Sequence, residues 1–304
     1  MQSKYSYKNI TWTDSLCPTT QEVELLMTEY KLHPKVARDL ALPTYKDRVT
    51  LYDNYIYLIL HFPAIRHSHG DDISQEIDFI IGKNFIITNR YEMIDVLEQF
   101  AKEFEVNSIL EKRLMKDHAG YVFYYIMKDL YMSLSDELES LGDQIKEVEG
   151  NIFNGKEKEM VGDISKISRD LMNFEHTIKT HKNVLETFEG YSKKFFKDDF
   201  AENVRKLIDE YEKINTILGD EIDSMKEMRD TNDSLLSSKQ NEIMKILTIF
   251  TVFALPFSII TGFFQMNTRL TPIVNNPYAW PLIVGVEIII TVSLFLLAKN
   301  KKWF

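Results

Sequence analysis

The chain is poor in the features on which several common protein classes depend. It has one cysteine, Cys17, so an intrachain disulfide is excluded, which is typical of a reducing compartment. It has no phosphate-binding glycine loop and no combination of nucleophile and base, so we expect neither an enzyme nor an organic cofactor. Residues 1–13 contain no apolar run of signal-peptide length, so no secretory leader is predicted.

Positive charge is also scarce over most of the chain. Of the 36 basic and 46 acidic residues, 31 basic and 45 acidic precede Lys245, which leaves five basic and one acidic from Lys245 onward. Nucleic acid attracts basic surfaces, so an acidic soluble part excludes nucleic acid as a partner. The same charge is compatible with gathering cations, and an ordinary acidic surface is the simpler interpretation.

What the chain does have is two long hydrophobic runs near its end. They cover residues 246–264 and 280–298, and Glu287 is the only charged residue in either. About twenty apolar residues are needed to cross a hydrocarbon layer of roughly 30 Å as a helix. The runs therefore predict a membrane protein with two spans in the lipid bilayer.

The charges beside the runs predict the orientation. Lys239 and Lys245 precede the first run, three lysines follow the second in the tail of residues 299–304, and the loop of residues 265–279 holds only Arg269. Because positively charged flanks stay on the cytoplasmic side, we expect both termini in the cytoplasm and the loop outside.

Residues 1–118 have the pattern of an α/β domain. Helices are expected because Thr19 and Glu22 form a capping box and Pro34 suits a first helical position. Five segments rich in β-branched and aromatic residues, bounded by turn residues, are strand candidates. They are residues 5–12, 48–52, 55–62, 75–81 and 85–89. Strands with intervening helices favour a cytoplasmic α/β sandwich.

Residues 119–197 are predicted to be helical. An apolar stripe at three- and four-residue steps runs from Phe123 to Ile152, and Asn154-Gly155 breaks it. A second helix is predicted over residues 157–188, with Gly190 ending it.

A third helix begins near Asp198 and meets no clear stop before the first span. It would be about 100 Å long at 1.5 Å per residue. A helix of that length is not stable alone. Residues 198–245 are therefore predicted to be a stalk, packed against its own domain and against copies of itself.

Several short motifs lie around the two hydrophobic runs and at the chain end. They are Leu236-Ser237-Ser238, Asn241-Glu242-Ile243-Met244-Lys245-Ile246-Leu247-Thr248, Pro256, Gly262, Met266-Asn267, Tyr278-Ala279-Trp280-Pro281 and Lys301-Lys302-Trp303-Phe304. Three more precede the stalk: Trp12-Thr13-Asp14, Tyr52-Asp53-Asn54-Tyr55 and Glu76-Ile77-Asp78-Phe79-Ile80-Ile81-Gly82. Through these motifs the chain resembles the CorA family of divalent-metal transporters, specifically after about Leu235 and more loosely before it.

The resemblance implies an α+β membrane protein assembled as a pentameric funnel in a bacterial or archaeal cytoplasmic membrane. Five first spans would line one pore, and the second spans would form an outer ring. The family carries Gly-Met-Asn at the outer pore mouth and passes hydrated Mg²⁺, or in some branches Zn²⁺, Co²⁺ or Ni²⁺. Here the expected selectivity filter is Gln265, Met266 and Asn267, with Asn267 facing the hydrated ion.

Helical spacing gives the expected pore face. Its residues recur at three- and four-residue steps on one side of the first span. They are Asn241, Met244, Leu247 or Thr248, Thr251, Leu255, Ser258, Gly262 and Gln265. Met244 and Leu247 would form an apolar gate, which can close by dewetting. The alternative is that the stripe only packs helices together, because small and hydroxyl residues also favour contacts between spans.

Two departures from the family keep other functions open. Gln265 stands in the glycine position, where five glutamines would crowd the ring or bond to the water shell of the ion. Residues 268–279 have no acidic residue and contain Arg269, which would repel a divalent cation. The alternatives are a relative with changed selectivity and a membrane-anchored scaffold or sensor that does not conduct.

The resemblance also implies sensing of cytoplasmic Mg²⁺ by carboxylates between subunits. The candidates are Asp198, Asp199, Asp209 and Glu210, and a solvated helix face is the simpler interpretation of each. Glu287, costly inside a span, is expected to bond to Ser258 or Thr261 at the same depth or to be protonated near the interface. A connecting loop is the favoured interpretation of one more group: His67, His69, Asp71 and Asp72.

Overall fold

The computed structural model describes residues 2–63, 74–106, 118–196, 198–265 and 278–300, with the side chains of all of these except residues 198, 199, 264, 265 and 279. The chain forms two compact units, Met1–Arg229 and Asp230–Phe304. The predicted loop residues His67, His69, Asp71 and Asp72 lie outside the described residues.

The first unit contains a six-stranded sheet with the strand order β1-β2-β6-β5-β4-β3. Only the β2–β6 pair is parallel, and the other neighbours are antiparallel. The strands are β1 (Gln2–Tyr7), β2 (Ile10–Leu16), β3 (Arg48–Leu51), β4 (Tyr55–Pro63), β5 (Ser74–Gly82) and β6 (Phe85–Arg90). Strands β4 and β5 are buried along most of their length, because helices cover both faces of the sheet.

The prediction of one strand over residues 5–12 was wrong. The segment is a β-hairpin in which Tyr7 pairs with Ile10, and Lys8 occupies the left-handed region with φ 51°. The aromatic and apolar residues alternate with polar ones on both sides of the turn, so the pattern resembles an uninterrupted strand. The other four strand predictions agree with β3 to β6 within one residue at each end.

Helices α1 (Thr20–Tyr30) and α2 (Pro34–Leu40) pack on one face of the sheet, where Val23, Leu26 and Val36 share a core with Tyr57 and Ile80. The capping box of Thr19 and Glu22 is confirmed, as is Pro34 at the start of α2. On the other face, α3 (Asp95–Phe104) packs against Trp12, whose ring lies 5.3 Å from that of Phe100.

Two antiparallel helices follow, and the break between them is where it was predicted. They are α4 (Gly120–Phe153) and α5 (Glu157–Ile178). Gly155 lies between them at φ 89°, a conformation that L side chains rarely adopt.

The prediction of a helix over residues 157–188 was wrong. The helix ends at Ile178, and α6 (His181–Phe196) begins after two residues, with Gly190 inside it. Lys179 and Thr180 are not helix breakers. The break follows from tertiary contacts, because the buried His181 ring contacts the backbone oxygen of His61 and the Tyr131 hydroxyl.

The third predicted helix is confirmed as a single element, α7 (Asp198–Gln265), which belongs to both units. Within the first unit its apolar stripe is buried as expected, apart from the half-buried Ile222. Helix α8 (Ala279–Asn300) follows. Residues Phe200–Phe263 and Trp280–Asn300 contain the helical stretches that are long and apolar enough to span a membrane.

Candidate ion pathway

The predicted pore face lies on the second half of α7 and is open along its whole length. All seven predicted residues between Asn241 and Gly262 are exposed in the single chain. They are Asn241, Met244, Leu247, Thr251, Leu255, Ser258 and Gly262. Met244 and Leu247 are 53% and 55% exposed, so neither of these large apolar side chains is covered by its own chain.

The other side of α7 faces α8. Phe253 lines a cavity of about 410 Å³ together with Thr291, Val292, Phe295 and Leu296 of α8. Thr251 and Leu255 are each two residues from Phe253, so they project about 160° away from it around the helix. The predicted pore face and the α8 contact therefore lie on opposite sides of the first span.

The hydroxyl groups of this span donate to their own helix. Thr251 Oγ1 donates to the Leu247 backbone oxygen at 2.9 Å, and Ser258 Oγ donates to that of Ala254 at 3.2 Å. A hydroxyl that donates its hydrogen in this way still offers oxygen lone pairs outward. The predicted pore face thus presents hydrogen-bond acceptors at two levels.

The predicted filter lies at the end of α7. Gln265 is the last residue of the helix, and its backbone is helical. Met266, Asn267 and Arg269 lie outside the described residues. The first residue of the predicted filter therefore ends the helix that carries the predicted pore face.

The predicted regulatory carboxylates are spread along α7. Asp198 and Asp199 begin the helix, and Asp209 is exposed. Glu210 is half-buried and accepts a hydrogen bond from Lys213 Nζ at 2.9 Å. Among the described residues, no three His, Cys, Asp or Glu side chains converge in a way that could hold a metal ion.

The expected hydrogen bond between Glu287 and the first span does not form. Ser258 and Thr261 donate to backbone oxygens of their own helix instead. Glu287 Oε1 is buried and has no hydrogen-bond partner in the described part of the chain. The backbone oxygen of Glu287 accepts from Thr291 Oγ1 at 2.7 Å, which stabilises the helix but not the carboxyl.

A polar cluster in the first unit was not predicted. His61 Nδ1 lies 2.6 Å from Asp47 Oδ1, and His61 Nε2 lies 3.3 Å from Glu76 Oε2. Burial alone would lower the pKa of His61, but its hydrogen bonds to Asp47 and Glu76 outweigh burial and raise the pKa to about 10. The available signal was Glu76 and Asp78 on either side of Ile77, at the start of the apolar part of strand β5.

Comparison with known proteins decides the family. The family model described as CorA-like Mg²⁺ transporter protein matches residues 7–299. The chain belongs to the CorA family. Members of the family are ion transporters or channels and not enzymes, so this chain is a transporter of the divalent-cation type. It is a membrane protein with a soluble N-terminal domain.

Curated CorA relatives match over nearly the whole chain. The cobalt/magnesium transport protein CorA of Thermotoga maritima is 23% identical over 284 residues, which cover 93% of this chain and 80% of that protein. The protein of the same description from Methanocaldococcus jannaschii is 23% identical over 299 residues, covering 96% and 90%.

The fold matches a complete solved CorA structure. The CorA magnesium transporter from Methanocaldococcus jannaschii superposes with a TM-score of 0.81 at 22% identity, covering 98% of this chain and 93% of that one. The predicted fold class, a mixed α/β domain followed by long helices and two C-terminal spans, is confirmed.

Proposed function

We propose that five copies of this chain form a channel that passes hydrated divalent cations, with Mg²⁺ as the main ion. The observation that carries the proposal is the open pore face of α7, on the side of the helix opposite α8. Curated relatives bear the names of magnesium and cobalt transport proteins, which supports the choice of ions.

The exposed face favours assembly around an axis. Thr251 and Ser258 lie on the uncovered side of the span, and their oxygens keep acceptor capacity that water can use and hydrocarbon cannot. If five first spans surround one axis, these groups line an aqueous path and α8 lies outside. A scaffold that needs only anchoring has no use for this arrangement.

The acceptors on the pore face suit a cation that keeps its water. Mg²⁺ loses its water reluctantly, so the ion presents water hydrogens to the pore wall. Thr251 and Ser258 have already donated their own hydrogens and can accept from that water. The rings of Met244 and Leu247 side chains, uncovered in one chain, would meet near the cytoplasmic end and close the path by dewetting.

The filter is proposed at Gln265, Met266 and Asn267, with Asn267 facing the hydrated ion. Gln265 is the last residue of α7, so in the proposed channel this position would lie next to the mouth. Five glutamines would accept from and donate to the water shell, whereas glycines would leave a wider ring. This substitution favours changed selectivity among Mg²⁺, Co²⁺, Ni²⁺ and Zn²⁺ as the second candidate function.

Orientation and driving force follow from charge. Lysines flank the cytoplasmic ends of both spans, with Lys245 before the first and Lys299 in the last turn of α8. Both termini would then be cytoplasmic, with residues 265–279 outside. A membrane potential of 100 mV contributes about 4.6 kcal/mol for two charges, which drives divalent cations inward.

Regulation by cytoplasmic Mg²⁺ is proposed to act between subunits. Within one chain, the described carboxylates of α7 do not converge on a metal site. A neighbouring copy would complete a site with Asp198, Asp199, Asp209 or Glu210. Bound Mg²⁺ would hold the ring closed, and its loss would let like charges separate the subunits.

The test is metal uptake into proteoliposomes with a Mg²⁺-sensitive dye inside. Native uptake that Asn267→Ala abolishes would support the filter. Uptake only after Gln265→Gly would mean that the pore is intact and the glutamine excludes Mg²⁺, and Co²⁺, Ni²⁺ and Zn²⁺ competition would then identify the ion. If no correctly inserted pentameric variant takes up any of these metals, the transport proposal is rejected and the scaffold interpretation remains.

A matched pair tests the pore face itself. Thr251→Val and Thr291→Val remove the same hydroxyl, and each donates to a backbone oxygen four residues earlier. Only Thr251 lies on the proposed pore face, so Thr251→Val should slow uptake about two- to tenfold, the effect of one lost hydrogen bond. Equal effects of the two substitutions would contradict the assignment.

A further inference from the structure

The second unit contains an apolar groove between its two spans. Phe253 of α7 forms one wall, and four residues of α8 form the other: Thr291, Val292, Phe295 and Leu296. The cavity measures about 410 Å³, which lies within the range of about 300–1,000 Å³ that is usual for ligand sites. Val292, Phe295 and Leu296 are 52%, 51% and 54% exposed, so the α8 wall is open in the single chain.

The lining of the groove suits hydrocarbon. Its single hydroxyl belongs to Thr291, whose Oγ1 donates to the Glu287 backbone oxygen at 2.7 Å, so the hydrogen of this group is already used. The other four lining side chains are hydrocarbon only. Such a wall offers little to a polar solute, because a buried polar group without a hydrogen-bond partner is costly.

The groove lies near the end of the spans that is flanked by Lys245 and Lys299. Phe253 is the eighth residue of the first hydrophobic run, and Thr291 is the eighth from the end of the second. At about 1.5 Å per residue, both lie at most about 10 Å from that end. Each half of the hydrocarbon layer is about 15 Å thick, so the groove opens into a single leaflet.

Lys299 lies at the interfacial end of the groove, on the same face of α8. Val292 and Phe295 precede it by seven and four residues, so the three side chains lie within about 60° of one another around the helix axis. Lys299 is exposed, and residues 288–304 contain no acidic residue but two further lysines, Lys301 and Lys302. The groove thus leads from the hydrocarbon to positive charge at the level of the lipid headgroups.

We propose that this groove binds one anionic phospholipid, with an acyl chain between α7 and α8 and the phosphate paired with Lys299. Lipid tails are as apolar as the wall, so the chain gains from packing, and the attraction between phosphate and lysine selects an anionic lipid. A second copy of the chain suits the groove less well, because its own Lys245 and Lys299 would add positive charge at the same level of the bilayer. Lipid binding here goes beyond the proposed transport and requires only that the two spans lie in a bilayer.

The headgroup site is tested by native mass spectrometry of the full-length protein, reconstituted in vesicles of equal phosphatidylglycerol and phosphatidylcholine and transferred to mild detergent. The native protein should retain mainly phosphatidylglycerol. Lys299→Gln should lower the ratio of retained phosphatidylglycerol to phosphatidylcholine about fivefold, the effect of one lysine near anionic headgroups, and Lys299→Arg should keep the native ratio. A native ratio near one, or a Lys299→Gln ratio equal to the native one, would overturn the headgroup site.

A matched pair of substitutions tests the groove itself. Leu296 and Leu297 are neighbours on α8 with exposures of 54% and 59%, and of the two only Leu296 lines the groove. The indole of Leu296→Trp would fill the groove, so most of the retained lipid of both kinds should be lost, whereas Leu297→Trp should retain the native amount.

Equal retention by the two variants would overturn the groove as a lipid site. A native protein that retains no lipid would also overturn it, and would assign the groove to contact between copies of the chain. Neither result depends on metal uptake, so failure here and failure of the channel proposal are distinguishable.

Discussion

The salt bridge of Arg90 allows a quantitative prediction about what holds β2, β6 and α3 together. Arg90 is 3% exposed, and its Nε and Nη2 donate to Asp14 Oδ2 at 3.2 and 2.7 Å. Thr88 Oγ1 donates to the other oxygen of Asp14 at 2.6 Å, and Trp12 Nε1 donates to Thr88. Asp14 of β2 therefore accepts hydrogen bonds from both the buried Arg90 and Thr88 of β6, and so joins the two strands.

Asp14→Asn removes the charge and turns an acceptor into a donor beside Arg90 or Thr88. Breaking a buried pair from one side costs about 3–5 kcal/mol. Glu98 still accepts from Arg90 Nη2 at 2.5 Å, so we expect the lower end, about 3 kcal/mol. For a unit of this size that loss lowers the melting temperature by about 6–12 °C.

The matched control is Glu98→Gln, which touches the same guanidinium from a side chain that is 41% exposed. Because the Glu98 side chain is partly in water and Asp14 still pairs with Arg90, we expect Glu98→Gln to cost at most about 1 kcal/mol and to lower the melting temperature by about 4 °C or less. The assay is thermal unfolding in detergent followed by Trp12 fluorescence, with Trp280 and Trp303 replaced by Phe. Equal shifts from the two substitutions, or a shift below about 2 °C for Asp14→Asn, would refute the reasoning.

Two further predictions concern the same unit. The pKa of His61 is raised to about 10 in the folded state, so its contribution to stability is complete below its ordinary value of 6.5 and is lost as the pH rises toward 10. The melting temperature should decrease as the pH is raised from 7 to 10, and this decrease should be smaller in His61→Gln. The same dependence of melting temperature on pH in the variant would contradict the ion pair. Thr19→Ala removes the capping box of α1 and should cost about 1 kcal/mol, seen as faster hydrogen exchange in the first turn of α1. Thr28→Ala, where the hydroxyl bonds only its own helix, is the control and should leave that exchange unchanged.

Features that depend on near neighbours in the sequence were predictable. The Thr19–Glu22 capping box is recognised from two residues three positions apart. The continuation of α7 into the first span was predicted because the sequence contains no clear helix-ending residues there. The two spans follow from length and polarity. The pore face stays a prediction that rests on spacing together with the family resemblance, and which side α8 covers required the position of Phe253 against Thr291.

Features that depend on tertiary contacts were not predictable. Nothing at Lys179 and Thr180 resembles a helix stop, and the break exists because His181 bonds to a strand 120 residues earlier. The hairpin at Lys8 was hidden because a residue with no turn preference adopts a positive φ there. Tyr57 and Asn89, which donate to the buried Asp78, come from the strands on either side of it, so strand order and register were needed before the group could be recognised.

The break between α5 and α6 also connects the sheet with the stalk helix inside the first unit. Thr180 Oγ1 donates to Asp47, and the His181 ring contacts the backbone oxygen of His61 at 2.8 Å. On its other side, the His181 ring lies 6.3 Å from the ring of Tyr211 on α7, and the neighbouring Lys182 pairs with Glu212 at 2.5 Å.

Contacts alone do not make these elements coupled, because coupling requires an element with two arrangements whose balance both ends can shift. The contacts of Thr180, His181 and Lys182 hold the sheet and α7 together in one arrangement, and a coupling between the two would need a second arrangement.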